Sequence, residues 1–161
     1  MADDYTPNDL PRNDSPRNDL TLRGFLAENA VKVQTIKHIV SNRFLDDNGN
    51  PIEWEIGCIT TTEDEALRTQ ATKRIPIPGK RGRGYTEDLD AKKYLGNLAV
   101  RCTLYPNLND AGLQNSYNVM GADVLLKTML TPGEYADYLL KIQEINGFDV
   151  TFEEQVEEAK N

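Results

Sequence analysis

Thr131-Pro132-Gly133-Glu134 fixes the start of a helix, and Asn146-Gly147 fixes its end. A Thr side chain accepts from the third helical amide, Pro fits the first turn, and Glu134 can reach back to the Thr131 amide. Tyr135, Tyr138, Leu139, Ile142 and Ile145 follow at three- and four-residue steps, and Asn-Gly then tolerates the left-handed cap conformation. The predicted element is a short amphipathic helix. Tyr135, Tyr138, Leu139 and Ile142 are its candidate partner contacts, with the domain's own core as the competing use of the same stripe. The wider segment from Leu95 to Asp149 packs helix starts and stops around short apolar runs and holds no catalytic constellation, so it reads as a binding surface.

A chain of 161 residues with 39% hydrophobic content can build one modest core, not two. The expected organisation is a Pro/Arg/Asn/Asp leader over residues 1–20, one folded domain over 21–149, and an acidic helical tail over 150–161. The net charge of −8 argues against nucleic acid or an anionic membrane as a general partner, because both need Lys and Arg to neutralise phosphates. A basic or apolar protein partner is easier to accommodate. No apolar run approaches the roughly 20 residues that cross a bilayer, which points to the cytosol. Cys58 and Cys102 lie far apart inside apolar runs, a pattern of buried thiols rather than of a disulfide framework.

The leader repeats Pro-Arg-Asn-Asp in degenerate form and offers almost nothing to bury, so it reads as a solvated tail or a linear docking motif. Leu22, Phe25 and Leu26 suggest one or two helical turns. The period then changes to two. Ile36–Phe44 and the strictly alternating Ile52–Cys58 flank the turn-forming Asp46-Asp47-Asn48-Gly49-Asn50, which predicts a hairpin with Ile52, Trp54, Ile56 and Cys58 facing the core. Lys37 and Arg43 on one strand, with Glu53 and Glu55 on the other, are positioned to pair across the exposed face.

Thr62-Glu63-Asp64-Glu65 reads as a capping box that opens a helix running to about Lys73. The stretch from Ile75 to Gly84 is interrupted throughout by proline and glycine, which predicts a mobile loop. Ala91, Tyr94, Leu95, Leu98, Ala99 and Cys102 recur at helical spacing and predict the core helix, from about Thr86 to Leu104. Further helices are expected over Asp110–Asn115, over Val119–Leu130 with Val124, Leu125, Met129 and Leu130 buried, and from the second Thr box at Thr151. The predicted fold class is α+β and predominantly helical, with an N-terminal β-hairpin packed against about five or six short helices.

Catalytic and cofactor chemistry has little material here, and neither a cofactor nor a metal site is expected. His38 is the lone histidine and has no carboxylate or cysteine at metal-ligand spacing. Gly79–Gly84 lacks the upstream glycine and the Lys-Ser/Thr pair of a phosphate-binding loop. Lys73, Arg74, Lys80, Arg81 and Arg83 form a candidate basic contact loop for an acidic partner, although a solvated flexible loop is the favoured reading of the same residues. Nucleic acid fits less well, since no aromatic residues are interleaved. The carboxylates Glu153, Glu154, Glu157 and Glu158 spread over a helical face as like-charge pairs and lack the ligand series of a calcium loop.

From Arg43 onward a set of ordered motifs resembles the XkdN-like phage tail assembly chaperones. They are Arg43-Phe44, Asp46 with Gly49-Asn50-Pro51-Ile52 and Trp54, Tyr94-Leu95, Tyr105-Pro106-Asn107-Leu108, Leu113-Gln114 with Ser116-Tyr117, and Val119-Met120-Gly121-Ala122. Pro132-Gly133-Glu134-Tyr135 and Gln143–Asp149 complete the set. The likeness spans roughly residues 20 to 161, and the leader is a departure from it.

The resemblance implies a non-enzymatic role in building the tail of a contractile phage or phage-like particle. In that role the chaperone coats the tape measure protein, recruits tail tube subunits in the host cytoplasm, and leaves before the tail is complete. A structural tail or connector protein retained in the particle is the alternative. Ala159-Lys160-Asn161 can be encoded by GCA-AAA-AAC, which contains a slippery heptamer. A frameshifted longer form, able to associate with the short one, is a further expectation.

Overall fold

The computed structural model describes residues 22–79 and 84–148. The chain divides into two compact units, Met1–Lys32 and Val33–Asn161. The predicted leader, the tail over 150–161 with its Thr151 box, and Lys80, Arg81 and Arg83 lie outside the described residues. In the first unit, Leu22–Phe25 forms a single 3-10 turn with Leu22 and Phe25 exposed.

The second unit is α+β, as its residue patterns predict. Its described elements are β1 (Ile36–His38), β2 (Trp54–Ile56), α1 (Thr61–Ala71), β3 (Thr72–Pro76), β4 (Tyr85–Leu89) and α2 (Ala91–Cys102). They continue with β5 (Thr103–Tyr105), α3 (Ala111–Ser116), α4 (Ala122–Met129) and α5 (Pro132–Ile145). One antiparallel sheet has the order β1-β2-β5, and β3-β4 is a separate two-stranded ribbon.

The predicted hairpin forms, with Ile36 opposite Ile56 and His38 opposite Trp54. Its loop is set by Asp46, whose Oδ1 accepts from the amides of Asn48 and Asn50 at 2.9 and 2.8 Å, while Gly49 takes φ +82. Trp54 and Ile56 are fully buried, and Ile52 and Cys58 are half-buried at the sheet's ends. Of the anticipated cross-strand pairs, Lys37 does stand opposite Glu55. Arg43 does not join that face, because it leaves the strand and reaches α5 instead.

Three helix starts differ from the sequence reading. The helix α1 starts two residues early, since the reciprocal cap bonds run between Thr60 and Glu63 rather than Thr62 and Glu65. Ile59 is held just before it by a 3.0 Å bond from its amide to Asn146 Oδ1, and Arg101 holds Glu63. The helix α2 starts at Ala91, not Thr86, because Tyr85–Leu89 pairs with Thr72–Pro76 and Asp90 caps the helix through the Lys93 amide at 3.1 Å. The predicted helix from Val119 is shortened to Ala122–Met129, since Asn118 at φ 53 and Gly121 at φ 104 place a turn before it. Met120 and Val124 are consequently exposed, while Leu125, Leu126, Met129 and Leu130 are buried.

The expectation of a mobile loop over Ile75–Gly84 is corrected at its start, where Ile75 and Pro76 belong to β3 and pair with Thr86 and Tyr85.

The core gathers on α2, which packs against α1, α4, α5 and β5. Tyr94, Leu98, Ala99 and Cys102 meet Trp54 and Ile56 from the sheet, Leu125 and Leu126 from α4, and Tyr138 and Ile142 from α5. Both cysteines are free thiols: Cys102 is buried and Cys58 half-buried. Asn146 ties α5 to this layer by donating to Cys102 Sγ at 3.4 Å and to the Ile142 carbonyl at 2.8 Å.

Candidate partner-binding surface

The orientation of α5 decides which of its apolar residues reach solvent. Its capping box forms as the sequence predicts: Thr131 N–H donates to Glu134 Oε2 at 2.8 Å, and the Thr131 hydroxyl accepts from the Glu134 amide at 3.4 Å. The same carboxylate also accepts from Ser41 Oγ at 2.6 Å and from Arg43 at 2.8 and 3.3 Å. These donors, Arg43 first, hold the Glu134 carboxyl far below the usual carboxylate range. Arg43 Nη2 adds a 2.6 Å bond to the Met129 carbonyl. The segment after β1 is therefore clamped across the α4–α5 junction, and α5 is fixed about its axis.

At that rotation Tyr138 and Ile142 point inward, each 1% exposed. The Tyr138 ring stands edge-on to Trp54 at 5.4 Å. Its hydroxyl sits 2.7 Å from Thr103 Oγ1, which in turn donates to the Ala99 carbonyl at 2.7 Å. Burial raises the Tyr138 phenol well above its ordinary value. Both residues are part of the domain's own core in this structure, the competing use of the stripe.

Tyr135 and Leu139 are half-buried, and both pack against the edge of that core. The Tyr135 hydroxyl lies over α2, where a Cβ added to Gly96 would stand 3.4 Å from it. Leu140 is 45% exposed and shares an outward row with Ala136 and Glu144. Sequence reasoning missed Leu140. The signal was its four-residue spacing from Ala136 and Glu144, which sets it on a mixed face outside the Tyr138–Ile142 stripe.

The basic candidates separate. Lys73 and Arg74 lie exposed on β3, where Lys73 pairs with Asp90 at 3.2 Å. Across the ribbon they stand opposite Asp88 and Glu87 without an ion pair to either. His38 lies on the sheet face toward the end of α5, and its imidazole is lowered by burial and by Lys141. Among the described residues, no group of three or more His, Cys, Asp or Glu side chains could hold a metal ion. No described helix is long and apolar enough to cross a membrane.

Residues 22–160 match the family model described as phage XkdN-like tail assembly chaperone protein. The chain belongs to this family. The family is one of chaperones, not of enzymes. Among its relatives, the chain is 33% identical over 138 residues to the phage-like element PBSX protein XkdN of Bacillus subtilis strain 168, covering 85% of this chain and 91% of that one. It is 31% identical over 138 residues to the protein YqbN of the same strain, with the same coverage. The crystal structure of YqbN superposes with a TM-score of 0.65 at 27% identity, covering 78% of this chain and 95% of that one. The XkdN-like resemblance read from the ordered motifs is thereby shown.

Proposed function

We propose that this chain acts in the host cytoplasm as an assembly chaperone that binds the tape measure protein of a phage or phage-like tail. It recruits tail tube subunits and leaves before the particle is complete. The observation that carries this reading is the family match, which runs through nearly the whole chain. The relative named for a phage-like element supports a prophage or tail-like particle as the setting.

Two surfaces are available for such contacts. On α5, Tyr135 and Leu139 are half-buried and Leu140 is exposed, so they offer apolar area beside the capped helix start. Lys73 and Arg74, with Lys80, Arg81 and Arg83 following in sequence, offer positive charge on an otherwise acidic chain. Tyr138 and Ile142 act from behind, by keeping α5 in place. A frameshifted longer form that associates with the short one belongs to the same proposal, and the codons for Ala159-Lys160-Asn161 decide it. The sequence GCC-AAG-AAT without an overlapping frame removes the idea.

Mass spectrometry of purified particles tests the central assignment. A chaperone that departs is absent from them. A chain present at fixed stoichiometry is instead a structural tail or connector protein.

A further inference from the structure

We infer that the outer edge of β4, from Tyr85 to Leu89, is a docking edge for an extended, basic segment of another chain. The segment is held through its backbone and its charge, whichever chain carries it.

The bonding pattern of the ribbon sets which backbone groups are free. The Ile77 amide donates to the Gly84 carbonyl and the Asp90 amide to the Ala71 carbonyl, each at 3.0 Å. In an antiparallel pair, bonded and non-bonded positions alternate. With these two anchors, the odd-numbered residues of β3 and the even-numbered residues of β4 bond inward. Thr72, Arg74 and Pro76, and likewise Tyr85, Glu87 and Leu89, therefore turn their backbone groups outward.

The two outer edges are not equivalent. On β3, Pro76 has no N–H, and the Thr72 N–H already caps α1 through the Thr69 carbonyl. Two of its three outward positions thus have no donor to give, and that edge is blunted. On β4 all three outward residues have an N–H, and no hydrogen bond among the described residues uses them. Tyr85 is 67% exposed, and Thr86, Glu87 and Asp88 are exposed with it.

The ribbon is a sheet separate from the three-stranded one, so no strand of that sheet covers its outer edges. Charge specifies the strand that fits. Glu87 and Asp88 stand opposite Arg74 and Lys73 yet form none of the ion pairs among the described residues, so side chains laid along their open edge are favoured when basic and repelled when acidic. The basic strand of a second copy is β3 itself, whose edge lacks two of the three donors for that ladder.

The test uses the full chain, isotopically labelled, with a probe peptide of eight residues alternating lysine and valine. A matched peptide carries glutamate for lysine. The lysine peptide is expected to shift the amides of Tyr85, Glu87 and Leu89 and to slow their hydrogen exchange at least tenfold, and the glutamate peptide to leave them unchanged. Glu87→Pro removes one outward N–H without touching an inward bond, and should weaken the lysine peptide at least tenfold while the Thr86 and Asp88 amides stay protected. If proline loosens the ribbon, the pair Glu87→Lys and Asp88→Lys should instead reverse the preference between peptides. Equal response to both peptides, no response, shifts confined to β3, or protection of β4 that grows with protein concentration alone would overturn the inference.

Discussion

Arg43 and Glu134 lie far apart in sequence, yet the guanidinium holds the carboxylate through Nε at 3.3 Å and Nη2 at 2.8 Å. The carboxylate it holds is the one that closes the α5 capping box, so a helix-start signal doubles as the anchor of the chain segment after β1. The Arg43 guanidinium also stands 5.4 Å over the Phe44 ring, and Phe44 in turn lies 6.1 Å from Trp54. This connects the clamp to the core through aromatic contacts.

Because one carboxylate serves the cap and the clamp, the two mutations Arg43→Met and Glu134→Gln should not add. Each should lower the unfolding midpoint in denaturant, and the double variant should lose less than the sum of the singles. The folded-state carboxyl is held below its unfolded value, so its contribution is present above about pH 4.5 and is lost as the pH falls through the folded value. Glu134→Gln should therefore flatten the acid limb of the stability curve. Thr131→Ala removes the hydroxyl side of the same box and should cost about 1 kcal/mol.

Core and surface on α5 should separate cleanly. Tyr138→Ala opens a void beside Trp54 and leaves Thr103 without its phenol partner, at an expected cost of about 3 to 5 kcal/mol. Ile142→Ala should cost about 2 to 5 kcal/mol. Leu140→Ser, on the exposed row, should stay within about 0.5 kcal/mol of the parent. Urea unfolding monitored by Trp54 fluorescence measures all three.

His38 should make stability fall on mild acidification. Burial is the largest cause of its lowered value, Lys141 adds to it and Glu144 opposes it. The fold therefore prefers neutral imidazole, and the unfolded chain takes up the proton first. No effect exists above about pH 6.5, where both states are neutral, and stability then declines until the folded value is passed. The unfolding midpoint of His38→Gln, followed from about pH 7.5 to 5, should lack this decline.

Cys102 should be inert until the domain opens. It is 1% exposed, and burial pushes its thiol up to about 11, so little thiolate exists near neutrality. A maleimide or disulfide reagent at about pH 8 should label it only at the rate of unfolding. Rapid labelling of Cys102 in native buffer would show that the α2–α5 layer opens locally.

What could be read from the chain followed from how local each signal is. The box at Thr131, the cap pair Asn146-Gly147 and the Asp46–Asn50 turn each act within a few residues, and all three form as expected. The Thr60-Thr61-Thr62 run allowed two registers of the same capping box, and tertiary contacts from Asn146 and Arg101 accompany the one observed. The β3–β4 ribbon was hidden because Tyr85-Thr86-Glu87-Asp88-Leu89 lacks apolar alternation, and because the prolines at 76 and 78 look like breakers. Their two-residue spacing was the available clue: Pro76 sits where the edge needs no N–H. The stripe on α5 showed that the helix would bury a face. It did not show which partner would cover it, because core and interface use the same residue types.

Co-expression with the tape measure protein of the same tail system, scored by solubility and co-purification, decides whether this chain is its chaperone. The tape measure protein, aggregated alone, should become soluble and elute with this chain as one complex. A tape measure protein that stays insoluble, or that is soluble but never co-purifies, would contradict that role.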